Sequence, residues 1–373
     1  TACSLTVSFP GRACHPLTTL NREGMAMAIV EMTRPITGGV DTHLDLHVAA
    51  ALDANGGVLG IESFPTTPAG LEALTEWLES FGPLERVGVE GTGAYGAGLA
   101  RLLRRRGFEV IEVDRPNRQL RRLQGKSDAV DAVEAGRAVL SGRASGIAKT
   151  ADGNTEAMRT LLIAKRSIRE ARITCLNQIR HLSFCGPDEL REAFRDVPKT
   201  ALARRAAGLR PRQGGDIVTY ATKTAMRSLG RRVQDAETDA AMLDRLLREL
   251  VVATAPSLLE VYGCGVDTAA ILLVAAGDNP DRIRNEAAWA HLCGVAPLPA
   301  TSGKVVDRHR LNRGGNRQAN HALWRIVFTR MSSDERTQHY VERRSAEGRS
   351  RAEIMRILKR YVARETFKHL PRP

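Results

Sequence analysis

The apolar and polar positions along the chain change period several times, and these changes predict its secondary structure. A strand around Val40 and strands at His47–Leu52 and Val58–Phe64 open the ordered part, and the turn sequence that starts at Asp53 joins the last two as a hairpin. The next segments predict a helix over 68–81, a strand at Arg86–Val89, a basic helix over 98–106 and a strand over 108–113. This alternation predicts an α/β domain.

Beyond residue 127 the pattern is helical. Asp128–Leu140 predicts a helix with Ser127 as its N-cap, and residues 154–184 and 216–252 carry apolar residues at helical spacing around a Gly/Arg-rich linker at 204–215. These two long segments predict a helical or coiled-coil spacer. A third unit begins near Ala255, with two helices, a Pro/Gly-rich loop at 294–303 and a basic stretch to the end of the chain.

These patterns divide the chain into four parts. Residues 1–36 form an extension that we expect to be disordered, and they take no part in the fold. The predicted boundaries are 37–150 for the α/β domain, 151–252 for the spacer and 253–373 for a mainly α-helical C-terminal domain. A chain of 373 residues with 43% hydrophobic positions is long enough for two or three such domains.

Composition favours a polyanionic partner. Lys and Arg number 55 against 42 Asp and Glu, which gives a net charge of +13, so phosphate contacts would be favourable. Aromatic residues make up only 4% of the chain, which argues against base stacking on single strands as its main activity and favours recognition of the nucleic-acid backbone.

The cysteines and the apolar runs exclude several classes of protein. The six cysteines include no C-x-x-C pair and no Cys/His cluster at zinc spacing, so neither a disulfide framework nor a zinc finger is indicated. No apolar run reaches the roughly 18 residues of a membrane span, and the first 30 residues lack the pattern of a secretory signal. We therefore expect a cytoplasmic protein without membrane contact.

Four carboxylates stand where an α/β domain places its ligands. Asp41 ends the first strand, Glu90 ends a later strand, and Asp128 and Asp131 share one face of a helix because they are three residues apart. Four acids brought together need cations, and oxygen ligands in this number suit Mg²⁺, as a metal pair for in-line phosphoryl transfer. Each acid alone also fits a structural role, as a turn former, a surface acid or a first-turn helix acid.

Two histidines lie close to Asp41 in the sequence. His43 and His47 could form a zinc site with it, but histidines at this spacing in a strand or loop are more often polar surface residues. We therefore assign neither of them to the metal site.

The segments around the four acids resemble a known family. Gly39-Val-Asp41, Val89-Glu90-Gly-Thr-Gly-Ala-Tyr95 and Lys126-Ser-Asp128-Ala-Val-Asp131-Ala are similar to the N-terminal DEDD domain of the insertion-sequence one-ten transposases, which are bridge-RNA-guided recombinases. The resemblance runs from about Gly38 to the C-terminus. It implies an RNase H-like fold of the RuvC type for residues 37–150, with Mg²⁺ at the four carboxylates.

The C-terminal unit carries two further motifs. Gly263 and Gly265 open a helix and could let backbone N–H groups approach a phosphate, although a glycine turn before a buried helix fits equally well. Ser302 lies on a loop bounded by Pro and Gly and is followed by the basic residues Lys304, Arg310, Arg313 and Arg317, which could neutralise phosphoryl oxygens. The resemblance implies that Ser302 is the nucleophile and that the C-terminal unit is the transposase domain.

The resemblance also implies how the protein acts. A recombinase of this kind forms a phosphoserine intermediate on target and donor DNA, is guided by a structured noncoding bridge RNA, and works as a dimer or tetramer on the nucleoid. A basic cluster would add nucleic-acid contacts; its members are Arg115, Arg118, Arg121, Arg122 and Lys126. No Ser/His/Asp order is visible around Ser302, so its activating group must come through space. Mg²⁺ bound by the carboxylates of the N-terminal domain is the simplest candidate, and His309 could instead serve as the base.

Two other functions remain open at this point. A RuvC-like, metal-dependent junction nuclease would use water as its nucleophile, with Ser302 structural. A nucleic-acid-binding protein without catalytic activity would carry the same acids as structural residues.

Overall fold

The N-terminal part of the protein is a mixed α/β domain. The computed structural model describes residues 34–113, 127–144, 146–149, 153–279, 283–299, 309–310, 312 and 314–371. Six strands form a sheet in the order β3-β2-β1-β4-β5-β6. The strands are β1 (Ile36–Thr42), β2 (Leu46–Leu52), β3 (Val58–Pro65), β4 (Leu84–Glu90), β5 (Glu109–Val113) and β6 (Gly146–Ile147).

The sheet combines an antiparallel half with a parallel half. Strands β1, β2 and β3 pair antiparallel, as the hairpin pattern predicts, whereas β1, β4 and β5 pair parallel. This arrangement confirms the predicted α/β class and is consistent with the RNase H-like fold. Strand β1 begins at Ile36, which is almost completely buried, one residue before the predicted domain boundary at 37.

Within the described residues of this domain, three helices cover the two faces of the sheet. They are α1 (Pro68–Glu79), α2 (Ala97–Arg105) and α3 (Asp128–Leu140). Leu74 of α1 and Leu99 of α2 pack on one face with Val40. Helix α3 packs on the opposite face, where its Ala132 contacts Leu52. The alternating side-chain directions of β1 therefore separate an apolar core side from the side that faces α3.

The predicted spacer is an antiparallel pair of long helices. It consists of α4 (Asn154–Cys185) and α7 (Ile217–Thr254), with α5 (Asp188–Phe194) and α6 (Leu202–Ala207) between them. Lys165 of α4 pairs with Asp244 of α7, while Arg172, further along α4, pairs with Glu237, earlier in α7, which shows that the two helices run in opposite directions. A coiled-coil geometry for this pair stays a prediction.

The predicted linker at 204–215 is partly wrong, because its first residues belong to α6. This short helix packs against α7 at Gly230, where an added Cβ would lie 2.5 Å from the Ala207 nitrogen. A glycine at this crossing lets the two backbones touch. The segment's Gly and Arg content concealed the helix.

The described residues after α7 are mainly helical, and they share a hydrophobic core with one end of the helical hairpin formed by α4 and α7. The helices are α8 (Val266–Ala276), α9 (Glu286–Leu292), α10 (Arg317–Ser333), α11 (Glu335–Ala346) and α12 (Arg351–Phe367), and two short strands pair as β7 (Leu298–Pro299) and β8 (His309–Arg310). Met158 of α4 and Leu247 of α7 lie in one core with α8, α10 and α12. The stretch predicted only as basic is therefore three helices.

The α/β domain is joined to this helical core by hydrogen bonds. The Lys149 ammonium donates to the Val274 carbonyl of α8 at 2.6 Å, and the Asn279 amide donates to the Ala148 carbonyl at 3.0 Å. The Asp278 carboxylate accepts from the Thr155 N–H at the start of α4 at 3.1 Å. Among the described helices, none is long and apolar enough to cross a membrane.

Candidate active site

The first two predicted carboxylates lie side by side at one edge of the sheet. Val40 of β1 is paired with Val89 of β4, so Asp41 and Glu90 follow at neighbouring positions on parallel strands. The chain turns away directly after Glu90, at Gly91, whose φ of 70° suits glycine. Both carboxylates thus leave the sheet at its carboxyl edge, as predicted.

Two glycines bring the other carboxylates to the same edge. Gly39 lies two residues before Asp41, and a Cβ added to it would be 2.2 Å from the Ala132 carbonyl oxygen of α3. Gly88 lies two residues before Glu90, and its added Cβ would be 2.7 Å from the Ala135 carbonyl oxygen. Residues two apart in a strand share a face, so α3 packs directly on the backbone of the face that carries both acids.

The first turn of α3 consequently carries Asp128 and Asp131 to the strand ends. Asp131 is buried with 4% of its surface exposed, and Asp41 is exposed by only 6%. The helix begins at Asp128 as predicted. Ser127 occupies the N-cap position with an extended backbone, as predicted, and its hydroxyl makes no capping hydrogen bond.

His43 lies between two of the acids. Its Nε2 is 3.1 Å from the Asp41 Oδ2 and 3.4 Å from the Asp128 Oδ1, and ligand atoms of the three side chains all lie within 4.8 Å of one another. This grouping could hold a divalent cation. Sequence reasoning left His43 out of the site; the signal that could have found it is its place two residues after an acid at a strand end, beside a second acid on α3.

The electrostatics of the site favour a bound cation. Burial raises the pKa of the Asp41 carboxyl, His43 acts against that rise, and the charges of Asp131 and Asp128 add to it. A carboxylate that is desolvated among other acids is stabilised when a cation neutralises it. The donor set of carboxylate oxygens and one imidazole therefore fits a divalent metal ion.

Glu90 is held at the site through its backbone. The Thr42 hydroxyl, next to Asp41, donates a hydrogen bond to the Glu90 carbonyl oxygen at 2.7 Å. This bond ties the last residues of β1 and β4 together beyond their ladder. It fixes the relative position of the two carboxylates that leave the sheet there.

His47 faces away from this site. It pairs with Thr42 across the hairpin and is almost fully buried, and its Nδ1 is without a hydrogen-bond partner among the described residues. Burial lowers the pKa of its imidazole, which favours the neutral form. His47 lies outside the group formed by Asp41, His43 and Asp128.

The structure favours a structural role for one of the two predicted phosphate-binding glycines. Gly263 has a φ of 83°, and an added Cβ would lie 3.1 Å from the Ile326 carbonyl oxygen of α10, so this turn is packed against protein. Gly265 is the N-cap residue of α8 and has open space around its Cβ position. Phosphate binding at Gly265 stays a prediction.

Several predicted residues lie outside the described part of the chain. They are Arg115, Arg118, Arg121, Arg122, Lys126, Ser302, Lys304 and Arg313. Arg310 and His309 lie in β8, and Arg317 begins α10. The structure brings Asp41 and Asp128 together, with Asp131 close enough to influence the pKa of Asp41, and places Glu90 at the end of the neighbouring strand. The roles of the four acids and of Ser302 stay predictions.

The two ends of the segment that contains Ser302 are held close to each other. The Asn316 N–H donates to the Leu292 carbonyl at 2.6 Å, and the Asn320 amide donates to the Cys293 carbonyl at 2.8 Å. An added Cβ at Gly294 would lie 2.7 Å from the Gly314 carbonyl oxygen. The start and the end of the segment therefore meet at the junction of α9 and α10.

Comparisons with known proteins identify both halves of the chain. A family model of IS110-type DEDD transposase domains, described as "Transposase", matches residues 38–183, and a model described as "Transposase IS116/IS110/IS902 family" matches residues 255–342. A Streptomyces coelicolor protein named "Insertion element IS110 uncharacterized 43.6 kDa protein" is 34% identical over 105 residues, 28% of this chain. The match spans 26% of that relative, about a quarter of its length. With an N-terminal and a C-terminal domain model both matched, the chain belongs to the IS116/IS110/IS902 family of transposases.

Proposed function

We propose that this protein is the transposase of an insertion sequence, which cuts and rejoins DNA through a phosphoserine intermediate on Ser302. The observation that supports it best is the meeting of Asp41, His43 and Asp128 at the strand ends beside Asp131 and Glu90. A DEDD-type carboxylate site in a transposase family fits phosphoryl transfer on DNA.

The four predicted acids, Asp41, Glu90, Asp128 and Asp131, would hold Mg²⁺. Bound there, the ion would stabilise negative charge on the phosphoryl oxygens during transfer. The protein supplies the geometry of the ligands: Gly39 and Gly88 admit α3, and Thr42 ties β1 to the carbonyl of Glu90. In the tautomer that carries its proton on Nε2, His43 donates a hydrogen bond to the Asp41 carboxylate and so orients it.

Ser302 would carry the covalent step. Its Oγ attacks the phosphorus of one phosphodiester, its proton passes to a base, and the bond from phosphorus to one sugar oxygen breaks, leaving a protonated sugar hydroxyl. Rejoining reverses the step: a sugar hydroxyl of the other duplex attacks the phosphoserine and Ser302 recovers its proton. The cut strands stay covalently held, so no phosphodiester energy is lost to water.

Partners follow from this chemistry and from charge. Target and donor DNA are the substrates, and the net charge of +13 favours their backbones. We also propose guidance by a structured noncoding bridge RNA and action as a dimer or tetramer, because two duplexes must be held during exchange. Purifying the protein with its nucleic acid, sequencing any RNA, and assaying recombination with and without that RNA tests the guidance; recombination that is equal without RNA would exclude it.

Trapping of the covalent intermediate tests the core of the proposal. The wild-type protein is incubated with end-labelled donor and target DNA and Mg²⁺, denatured, and examined for a labelled protein–DNA adduct. We expect Ser302→Ala to lose the adduct completely and Asp128→Asn to reduce it at least 100-fold. Ser345→Ala and Asp188→Asn, at exposed positions of α11 and α5, are matched controls that should keep wild-type levels.

Two results would overturn the proposal. An adduct that persists in Ser302→Ala would exclude the serine as nucleophile. Hydrolysed ends without any adduct in the wild-type protein would instead support a metal-dependent nuclease that uses water.

A further inference from the structure

A groove runs along the surface between the helical hairpin and the C-terminal helices. It has a volume of about 610 Å³ and is lined by residues of α4 on one side and of α8 and α10 on the other. Arg166 and Arg169 project from α4, and Arg317 and Arg325 from α10. Four guanidinium groups from two separate elements therefore border one concave surface.

These four arginines carry uncompensated charge. In the part of the chain that the structure describes, no carboxylate lies within ion-pair distance of any of them, whereas Lys165 and Arg172 in the same groove are paired with acids of α7 and α8. Glu170 is the other acid that lines the groove besides the paired Asp267. The surplus is positive, so the groove suits a polyanion.

A stack of aromatic rings continues from the groove along α10. The His321 ring lines the groove and lies 5.4 Å from the Trp324 ring at an angle of 23°. The Trp324 ring lies 5.1 Å from the Phe328 ring at 24°. Trp324 is 37% exposed and Phe328 is 48% exposed, so the edge of this stack is open to solvent.

The two features together select the class of ligand. Arginines at separate points of a groove match successive phosphates of a strand, and the outer face of the exposed His321 ring, whose other face lies against Trp324, matches a base that has left a duplex. A base inside a duplex has both of its faces covered, so only an unpaired segment can use the stack. A second copy of the chain fits less well, since a symmetric contact would bring this positive patch against itself.

We propose that this groove binds single-stranded DNA, with its phosphates on the four arginines and an unpaired base on the outer face of His321, which Trp324 supports from the other side. The inference rests on the proposed function, because strand exchange requires that the DNA strand leave its duplex near the cut. Helix α10 begins at Arg317, directly after the segment that carries Ser302, so a strand in the groove would continue towards that segment. The groove would hold the unpaired strand while the new junction forms.

Binding without chemistry tests this inference. The full chain is titrated into a fluorescein-labelled, 12-nucleotide oligo(dT) without divalent metal, and the dissociation constant is measured by fluorescence anisotropy at several salt concentrations. We expect Trp324→Ala to weaken binding about five-fold or more, and Trp324→Phe, which keeps a ring, to restore most of it. The double change Arg166→Ala with Arg169→Ala should lower the slope of log affinity against log salt by about 1.4.

Matched controls are available on other surfaces. Tyr361→Ala removes another exposed ring, on α12, and Arg232→Ala removes an exposed arginine on α7. Both should bind as the wild type does. An oligonucleotide with one 2-aminopurine should lose fluorescence on binding to the wild type and lose less on binding to Trp324→Ala, which reports stacking itself.

Three results would overturn the inference. One is wild-type affinity in both Trp324→Ala and the double arginine variant. Another is a change of oligomeric mass in Trp324→Ala with unchanged oligonucleotide binding, which would make the face a contact between copies. The third is at least ten-fold tighter binding of an RNA oligomer of matching sequence, which would make the ligand RNA. Ser302→Ala should bind oligo(dT) normally, so loss of the adduct and loss of groove binding are separable.

Discussion

Replacing Gly39 by alanine should disable the carboxylate site with only a modest loss of stability. The new Cβ would lie 2.2 Å from the Ala132 carbonyl oxygen and 2.4 Å from the Gly136 nitrogen, both in the backbone of α3. Ordinary contacts of carbon begin near 3.5 Å, so α3 must retreat from the sheet by roughly 1 Å. Overpacking of this kind costs about 1–3 kcal/mol, which a folded domain can survive.

The same retreat should be fatal to the metal site. Asp128 and Asp131 move with α3, whereas Asp41 and Glu90 stay with the sheet. Ligand distances in metal sites hold within about 0.2 Å of their ideal values, so a displacement of roughly 1 Å leaves the two pairs of acids unable to share an ion. We expect Mg²⁺ affinity to fall at least ten-fold and recombination at least 100-fold.

Calorimetric Mg²⁺ titration, a recombination assay and urea unfolding measure these effects. Gly38→Ala is the matched control on the other face of the same strand, where the added Cβ would meet the Leu78 and Val87 side chains at 3.0 Å and 3.2 Å. Those are side-chain atoms, which can give way more easily than a helix backbone. If Gly39→Ala binds Mg²⁺ and recombines as well as Gly38→Ala does, the close approach of α3 does not position the acids.

Three further changes test other parts of the structure. Because burial raises the pKa of Asp41 above its ordinary value of 3.8, the folded metal-free protein binds this proton more tightly than the unfolded chain, and its stability falls as pH rises from 3.8 through the folded pKa. Asp41→Asn should remove this part of the fall in the free energy of unfolding. Urea unfolding at a series of pH values measures it, and an unchanged pH profile would contradict the role of burial. Arg330 donates to both Glu365 oxygens and to the Tyr262 carbonyl, so Arg330→Ala should lower the free energy of unfolding by about 2 kcal/mol, whereas the exposed Arg232→Ala should change it little. Ser350 and Glu353 form a capping box at the start of α12. Ser350→Ala should lower the free energy of unfolding by about 1 kcal/mol, whereas Ser345→Ala should change it very little. Equal melting temperatures of the two variants would refute the capping role.

The sequence predicted the elements whose patterns are strong. The hairpin of β2 and β3 and the helix that starts at Asp128 are where periodicity and turn residues placed them. The four acids were found because each stands at the end of a strand or the start of a helix, which is a local feature. The place of Asp41 and Glu90 at neighbouring strand ends follows from the parallel pairing of β1 and β4.

The weaker predictions failed for physical reasons. Helix α11 is mainly polar, so its sequence shows little helical period. Helix α12 was missed because of the charged residues along the C-terminal stretch, although its Ser350 and Glu353 capping signal is present in the sequence. Helix α6 was missed because Gly and Arg surround six helical residues. The contact of His43 with Asp128 depends on where α3 lies in space, which the position of His43 two residues after Asp41 does not by itself reveal.

The spacing of glycines explains why this site could be assembled from separate segments. Gly39 precedes Asp41 by two residues and Gly88 precedes Glu90 by two, so in each strand the residue facing α3 one step inside the sheet has no side chain. The helix backbone then rests on two strand backbones at once, and the acids of its first turn reach the strand ends without long side chains. A glycine two residues before an acid, repeated on two parallel strands, is thus a geometric requirement of the carboxylate cluster. It links the amino-acid sequence to the site because isolated acids occur on any surface, whereas these two glycines let one helix backbone approach two strands just inside the acids.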